Sequence, residues 1–171
     1  MSTPKLWYFA FGSNMSAAQM VQRGVVWVEG YRVLAKLDGY QLLFNKLRTK
    51  GPETDKEGFA NLEKAASETS VYGILYGLAN EDGLLILDKY EGVAQNHYER
   101  VSVQVETKDN SNLDIPATVT ATTYIAKNPL VIRENLKPSK EYLERLLAGK
   151  DLLPTDYYHS LTRTETLAIH Q

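Results

Sequence analysis

The sequence contains no cysteine, which excludes disulfide scaffolding, thiol nucleophiles, zinc knuckles and iron–sulfur clusters. Histidine is scarce as well. His97, His159 and His170 are scattered, with no pair at a metal-ligating spacing, and nothing speaks for a metal held by carboxylates alone. Long apolar runs are missing: six apolar residues, Leu6 to Phe11, separate Met1–Lys5 from Gly12. That run is too short for a signal-peptide core, and no other is long enough to span a bilayer. A strong charge of either sign is missing too. A net charge of -2 gives no reason to expect nucleic acid or an anionic membrane as partner. The expectation is a cytoplasmic protein that uses no metal or other cofactor.

What is present fits a soluble globular domain. The 171 residues are 43% hydrophobic and 23% charged, enough for one substantial core and one domain over 1–171. Eleven Tyr stand against four Phe. Tyrosine combines a ring that packs with a hydroxyl that binds polar ligands, which suits a barrel or cleft with a wet interior; strand preference accounts for the same bias.

The apolar run Leu6–Phe11 reads as a buried strand, ended by Gly12-Ser13-Asn14. A helix is expected from Met15, with Ser13 or Asn14 as N-cap and Gly24 as its stop. Two or three strands fall within Val25–Asn45, with a turn at Asp38-Gly39. Lys46–Gly58 is polar and reads as a mobile surface loop. Val71–Leu78 is another buried strand, followed by a helix from Asn80 to Tyr90. Tyr98–Thr107 alternates and is expected to pair with Ala117–Ala126 across a turn at Lys108–Asn112. Ser139 caps a further helix, and Pro154-Thr155-Asp156 starts one carrying Tyr157, Tyr158 and Leu161. The expected fold class is α+β, around a curved antiparallel or mixed sheet.

Two places offer chemistry. A strand that feeds a helix through Gly12-Ser13-Asn14 presents free backbone N–H groups to an anion, and Gly12 lets a ligand approach the main chain closely. A plain capped helix start has the same pattern. Glu91 ends the Asn80–Tyr90 helix just before Gly92. A carboxylate there meets the negative end of the helix dipole, and with partial burial its pKa rises. Such a group exchanges protons near neutral pH; an exposed glutamate that tolerates its position is the alternative.

Taken together, Y-F-A-F-G-S-N-M at Tyr8–Met15 and L-D-x-x-E-G at Leu87–Gly92 resemble the γ-glutamylcyclotransferase-like superfamily. There the first motif usually reads Y-G-S-N and the acidic residue before the glycine is catalytic. Supporting likeness runs through V-Y-G-I-L-Y-G-L, F-A-N-L at Phe59–Leu62, P-S-K-E-Y-L around Tyr142 and L-P-x-D-Y at Leu153–Tyr157. The resemblance implies a small mixed or antiparallel barrel whose cavity opens near the Gly-Ser-Asn loop and the end of the Glu91 helix. It implies a γ-glutamylcyclotransferase, which closes a γ-glutamyl-amino acid or peptide into 5-oxoproline and frees the amino acid. Glu91 would be the catalytic acid/base. Tyr8, Phe9, Ala10 and Phe11 would form the floor of the site, Gly12 and Ser13 would hold the substrate α-carboxylate or the oxyanion, and Tyr142 would be one wall. Asn61 either lines the pocket or closes a turn. Phe11 departs from the usual Tyr, which removes a phenolic hydroxyl and bears on specificity. The partner implied is a small γ-glutamyl substrate, with monomer and homodimer equally compatible. A γ-glutamylamine or biosynthetic-intermediate cyclotransferase shares the same motifs, and a non-catalytic binding relative shares the fold.

Overall fold

In the computed structural model, which describes residues 3–51, 56–108 and 113–168, a closed mixed barrel forms the body of the molecule. Its strands are β1 (Leu6–Ala10), β2 (Arg32–Asp38), β5 (Ser70–Leu78), β6 (Glu99–Thr107) and β7 (Thr118–Ile125), ordered β1-β5-β2-β6-β7. Neighbours are antiparallel except at the seam, where β1 meets β7 in parallel through Tyr8 and Thr122. Strands β3 (Tyr40–Leu47) and β4 (Gly58–Lys64) form a separate two-stranded antiparallel sheet. Four α-helices, α1 (Ala17–Gln22), α2 (Asp82–Tyr90), α3 (Lys140–Leu147) and α4 (Thr155–Thr162), and two 3-10 turns, Ser13–Met15 and Val93–Gln95, complete the described elements. The α+β class and the mixed barrel agree with the sequence reading.

Strand register assigns the two faces of the barrel wall. Phe9 sits opposite Leu75, Val33 opposite Leu75, and Val103 and Val105 opposite Ala121 and Val119. All are buried, and they fill the lumen. The alternate residues, among them Ser102, Gln104, Thr118 and Thr120, are exposed, so their face is the outside. Tyr8, Tyr76 and Tyr124 belong to that outer face yet are buried. Their rings pack at 6.1 Å (Tyr8–Tyr76) and 5.9 Å (Tyr8–Tyr124).

Several boundaries differ from the sequence reading. The helix expected from Met15 begins at Ala17, with Ser16 as N-cap accepting from the Gln19 amide at 3.1 Å; Ser13–Met15 is a single 3-10 turn instead. The expected loop Lys46–Gly58 is shorter. Its first two residues extend β3 and its last begins β4, while residues 52–55 lie outside the described residues. The turn at Lys108–Asn112 lies outside them from Asp109 onward, as does His170. Ser139 caps α3 as expected, accepting from the Tyr142 amide at 3.0 Å. Among the described residues no helix is long and apolar enough to cross a membrane.

Candidate active site

Glu91 is the C-cap of α2. Its amide donates to the Leu87 carbonyl at 2.8 Å, and the chain then turns through Gly92 at φ 64 and ψ 38. That left-handed conformation is what a glycine provides without steric cost. The turn aims the Glu91 side chain back at the outer wall of the barrel, where it is 16% exposed. Burial pushes its pKa up to about 7, against the opposing pull of the Arg23 and Lys46 cations. The rise expected from the sequence is therefore present, and loss of water is its main cause.

Facing Glu91 is the loop after β1. Two carbonyls of the 3-10 turn are used, by Met15 N–H to Gly12 and Ser16 N–H to Ser13. The amides of Gly12, Ser13 and Asn14 have no bonded acceptor among the described residues. Gly12 is closely packed: an added Cβ would press on Ala60 Cβ at 3.1 Å and touch the Tyr142 hydroxyl at 3.4 Å. Asn14, 3% exposed, ties the loop to its surroundings. Its Nδ2 donates to the Tyr8 hydroxyl at 2.9 Å and, more weakly, to Glu91 Oε1 at 3.4 Å. Its Oδ1 accepts from Gln19 Nε2 at 2.9 Å and Arg23 Nη1 at 3.0 Å. Arg23 then reaches within 3.9 Å of Glu91 Oε1 and lies over the Tyr90 ring.

Tyrosines close the rest of the cavity. The Tyr142 hydroxyl accepts from the Ala60 amide at 3.0 Å, and the Tyr98 hydroxyl donates to the Ala60 carbonyl at 2.8 Å. Strand β4 is thereby tied through one residue to α3 on one side and to the residue before β6 on the other. Tyr124 donates to Asp88 Oδ1 at 2.7 Å, and Asp88 pairs with Arg100 through both carboxylate oxygens. Burial holds the Tyr8, Tyr98, Tyr124 and Tyr142 phenols above their usual range, so they are neutral at physiological pH.

Of the sequence-derived candidates, Tyr8, Phe11, Gly12, Ser13, Glu91 and Tyr142 come together around this cavity. Phe9 and Ala10 do not. Strand alternation turns Phe9 into the barrel lumen, where its ring lies so close to Gly73 that an added Cβ there would meet it at 2.8 Å. Ala10 pairs with Ile74 and is buried short of the cavity. The cavity lies where the resemblance implied, but against the outside of the barrel wall, since the lumen is filled. Asn61 is a structural residue: fully buried, it exchanges side-chain bonds with the Ala126 carbonyl (3.0 Å) and amide (2.8 Å). The sequence reading left out Asn14, Arg23, Tyr98, Tyr124 and Ala60. Asn14 was legible in the Gly-Ser-Asn motif itself; the others come from separate elements and carry no local signal.

The cavity opens past Glu91, Tyr98 and Tyr142 into a cleft of about 580 Å³ that also includes Lys46, His97 and Arg145. Among the described residues no group of three or more His, Asp or Glu is placed to hold a metal.

Comparisons with known proteins agree on the frame. The AIG2-like family matches residues 70–161, just over half of the chain. No curated protein sequence matches it significantly. Among solved structures, a γ-glutamyl cyclotransferase superposes with a TM-score of 0.77 at 24% identity, covering 97% of this chain and 91% of its own. An uncharacterised human protein gives 0.75 at 24% identity over the same shares. A yeast γ-glutamyl cyclotransferase specific to glutathione gives 0.66 at 15% identity, covering 92% of both chains. At these identities the likeness establishes the fold.

Proposed function

The chain belongs to the AIG2-like family, and we propose that it is a γ-glutamylcyclotransferase, converting a γ-glutamyl-amino acid or peptide to 5-oxoproline and the free amine component. The observation that carries this reading is Glu91, a largely buried carboxyl with a pKa of about 7, facing the unpaired amides of Gly12 and Ser13 across one cavity.

The substrate α-ammonium has no lone pair, so it first gives a proton to the Glu91 carboxylate. The freed amine attacks the γ-carbonyl carbon, forming the ring C–N bond and moving the carbonyl electrons onto oxygen. Amides at Gly12 and Ser13 hold either that oxyanion or the substrate α-carboxylate. As the original amide C–N bond breaks, Glu91 returns the proton to the departing nitrogen, and then carries the second proton from the new ring nitrogen to the freed amine. The α-nitrogen loses two protons over the whole reaction and the leaving nitrogen gains two, so one carboxyl acting as a shuttle balances the step. Because the attack is intramolecular, the cavity contributes chiefly by holding the glutamyl chain folded with amine and carbonyl in contact. Tyr8 and Asn14 position Glu91, and Tyr142 shapes the wall opposite Gly12.

The test is 5-oxoproline release from γ-glutamyl-alanine and glutathione, followed by mass spectrometry. Activity that survives unchanged in Glu91→Gln would remove Glu91 from the mechanism.

A further inference from the structure

Lys46 is an unusual residue to find near a proton-transfer site. It is 3% exposed, although it opens the charged stretch Lys46–Gly58. A bulge in the β3–β4 ladder explains its position: Leu43 faces Asn61, but Lys46, not Asn45, faces Phe59. One extra residue on β3 reverses the side to which the following side chains point. Without it Asn45 would take the place of Lys46.

Three features fix the ammonium there. It donates to the Leu47 carbonyl at 2.9 Å and lies 3.1 Å from His97 Nδ1. The rings of Phe59 and Tyr98 flank it at 5.7 and 5.6 Å. His97 is held beside Gly92, so close that an added Cβ on the glycine would lie 3.1 Å from its ring. Burial and the neighbouring lysines hold the His97 pKa below its usual value, which leaves Nδ1 free to accept. An ammonium has three N–H bonds; with two committed, the third is available to the cleft that Lys46 lines.

The cleft around it is basic. Arg23, Arg48, Lys50, Lys89 and Arg145 line it together with Lys46, and Glu91 is its one acidic lining residue among those described. Arg48 pairs with Glu57 and Arg23 leans on Glu91. Lys46, Lys50, Lys89 and Arg145 have no carboxylate within ion-pair distance among the described residues. A leaving group that carried its own cation would face six basic side chains against the single carboxyl of Glu91 there.

We propose that Lys46, fixed by His97 and rimmed by Lys50, Lys89 and Arg145, is the subsite for a carboxylate of the leaving amine. The donors are then γ-glutamyl-amino acids or peptides with a free carboxylate, acidic ones foremost, and not γ-glutamylamines. This rests on the cyclotransferase reading for its reaction, though not for its binding.

The experiment compares γ-glutamyl-glutamate, γ-glutamyl-alanine and γ-glutamyl-alaninamide, whose leaving amines carry two, one and no carboxylates. Both 5-oxoproline release by the native enzyme and calorimetric binding to Glu91→Gln are measured. Charged hydrogen bonds of this kind make the first carboxylate worth about tenfold or more in kcat/KM. Lys46→Met, of similar length and uncharged, should bring the alanine-to-alaninamide ratio to within about twofold of unity. Arg145→Gln, at an exposed helix position, should diminish the further gain from the second carboxylate, and serves should Lys46→Met fail to fold. Equal rates and equal binding for all three donors would overturn the subsite while leaving the reaction intact. Binding in order of charge with no 5-oxoproline from any donor would uphold the subsite and overturn the reaction.

Discussion

Asn14 Nδ2 stands 3.4 Å from Glu91 Oε1 and 2.9 Å from the Tyr8 hydroxyl, so one amide joins the motif after β1 to the carboxyl at the end of α2. The two halves of the sequence signature meet through this side chain. Replacing it with alanine removes the donor facing Glu91 and leaves the Gln19 and Arg23 donors without their shared acceptor. Asn14→Ala should therefore lose about 1–3 kcal/mol of stability. It should also lower kcat more than it raises KM, read from urea unfolding and steady-state kinetics side by side.

Glu91 sets the acid side of the pH profile. Only its carboxylate accepts the substrate proton, so kcat/KM should rise with pH through an apparent pKa of about 7. The Arg23 cation favours the ionised form. Arg23→Gln should thus move the limb to higher pH, and a limb that stays in place or moves down would contradict the assignment.

The same burial predicts a stability change of definite sign. The folded pKa of Glu91 is raised above its unfolded value. Stability from this group is full below the unfolded pKa near 4.3 and is lost as pH rises through about 7. Removing the carboxylate removes that loss. Glu91→Gln should be more stable than the native protein at pH 8, by about 1–3 kcal/mol, and closer to it at pH 5, as measured by denaturant midpoints at the two pH values.

Gly12 tests the shape of the cavity apart from its charges. A methyl at this position would press on Ala60 Cβ at 3.1 Å and approach the Tyr142 hydroxyl at 3.4 Å. Gly12→Ala should cost about a kcal/mol or less in stability while lowering kcat/KM by about tenfold or more. A variant with native kinetics would place the substrate away from this loop.

The parts of the site that were legible in the sequence are those written in consecutive residues. A buried strand broken by Gly-Ser-Asn, and a helix ended by Glu91-Gly92, are local patterns whose spacing says what the backbone does. Phe9 and Ala10 were misplaced because a continuous apolar run conceals its alternation: both faces of β1 are buried, so periodicity cannot tell lumen from outer wall. Lys46 was hidden for a different reason. It stands at the edge of a charged stretch, and only the bulge against Phe59 turns it inward. Tyr98, Tyr124 and Arg23 reach the cavity through tertiary packing that no short window records. The excess of Tyr over Phe was informative nonetheless, since Tyr8, Tyr98, Tyr124 and Tyr142 form most of the polar wall.

The most direct measurement of the central claim is the amount of 5-oxoproline formed from γ-glutamyl-alanine by the native protein and by Glu91→Gln, with folding of both verified by circular dichroism. The account predicts stoichiometric 5-oxoproline and alanine from the native protein and a loss of about a thousandfold or more in the variant. Equal turnover by the two folded proteins, or no 5-oxoproline from the native protein with any γ-glutamyl donor, would contradict it.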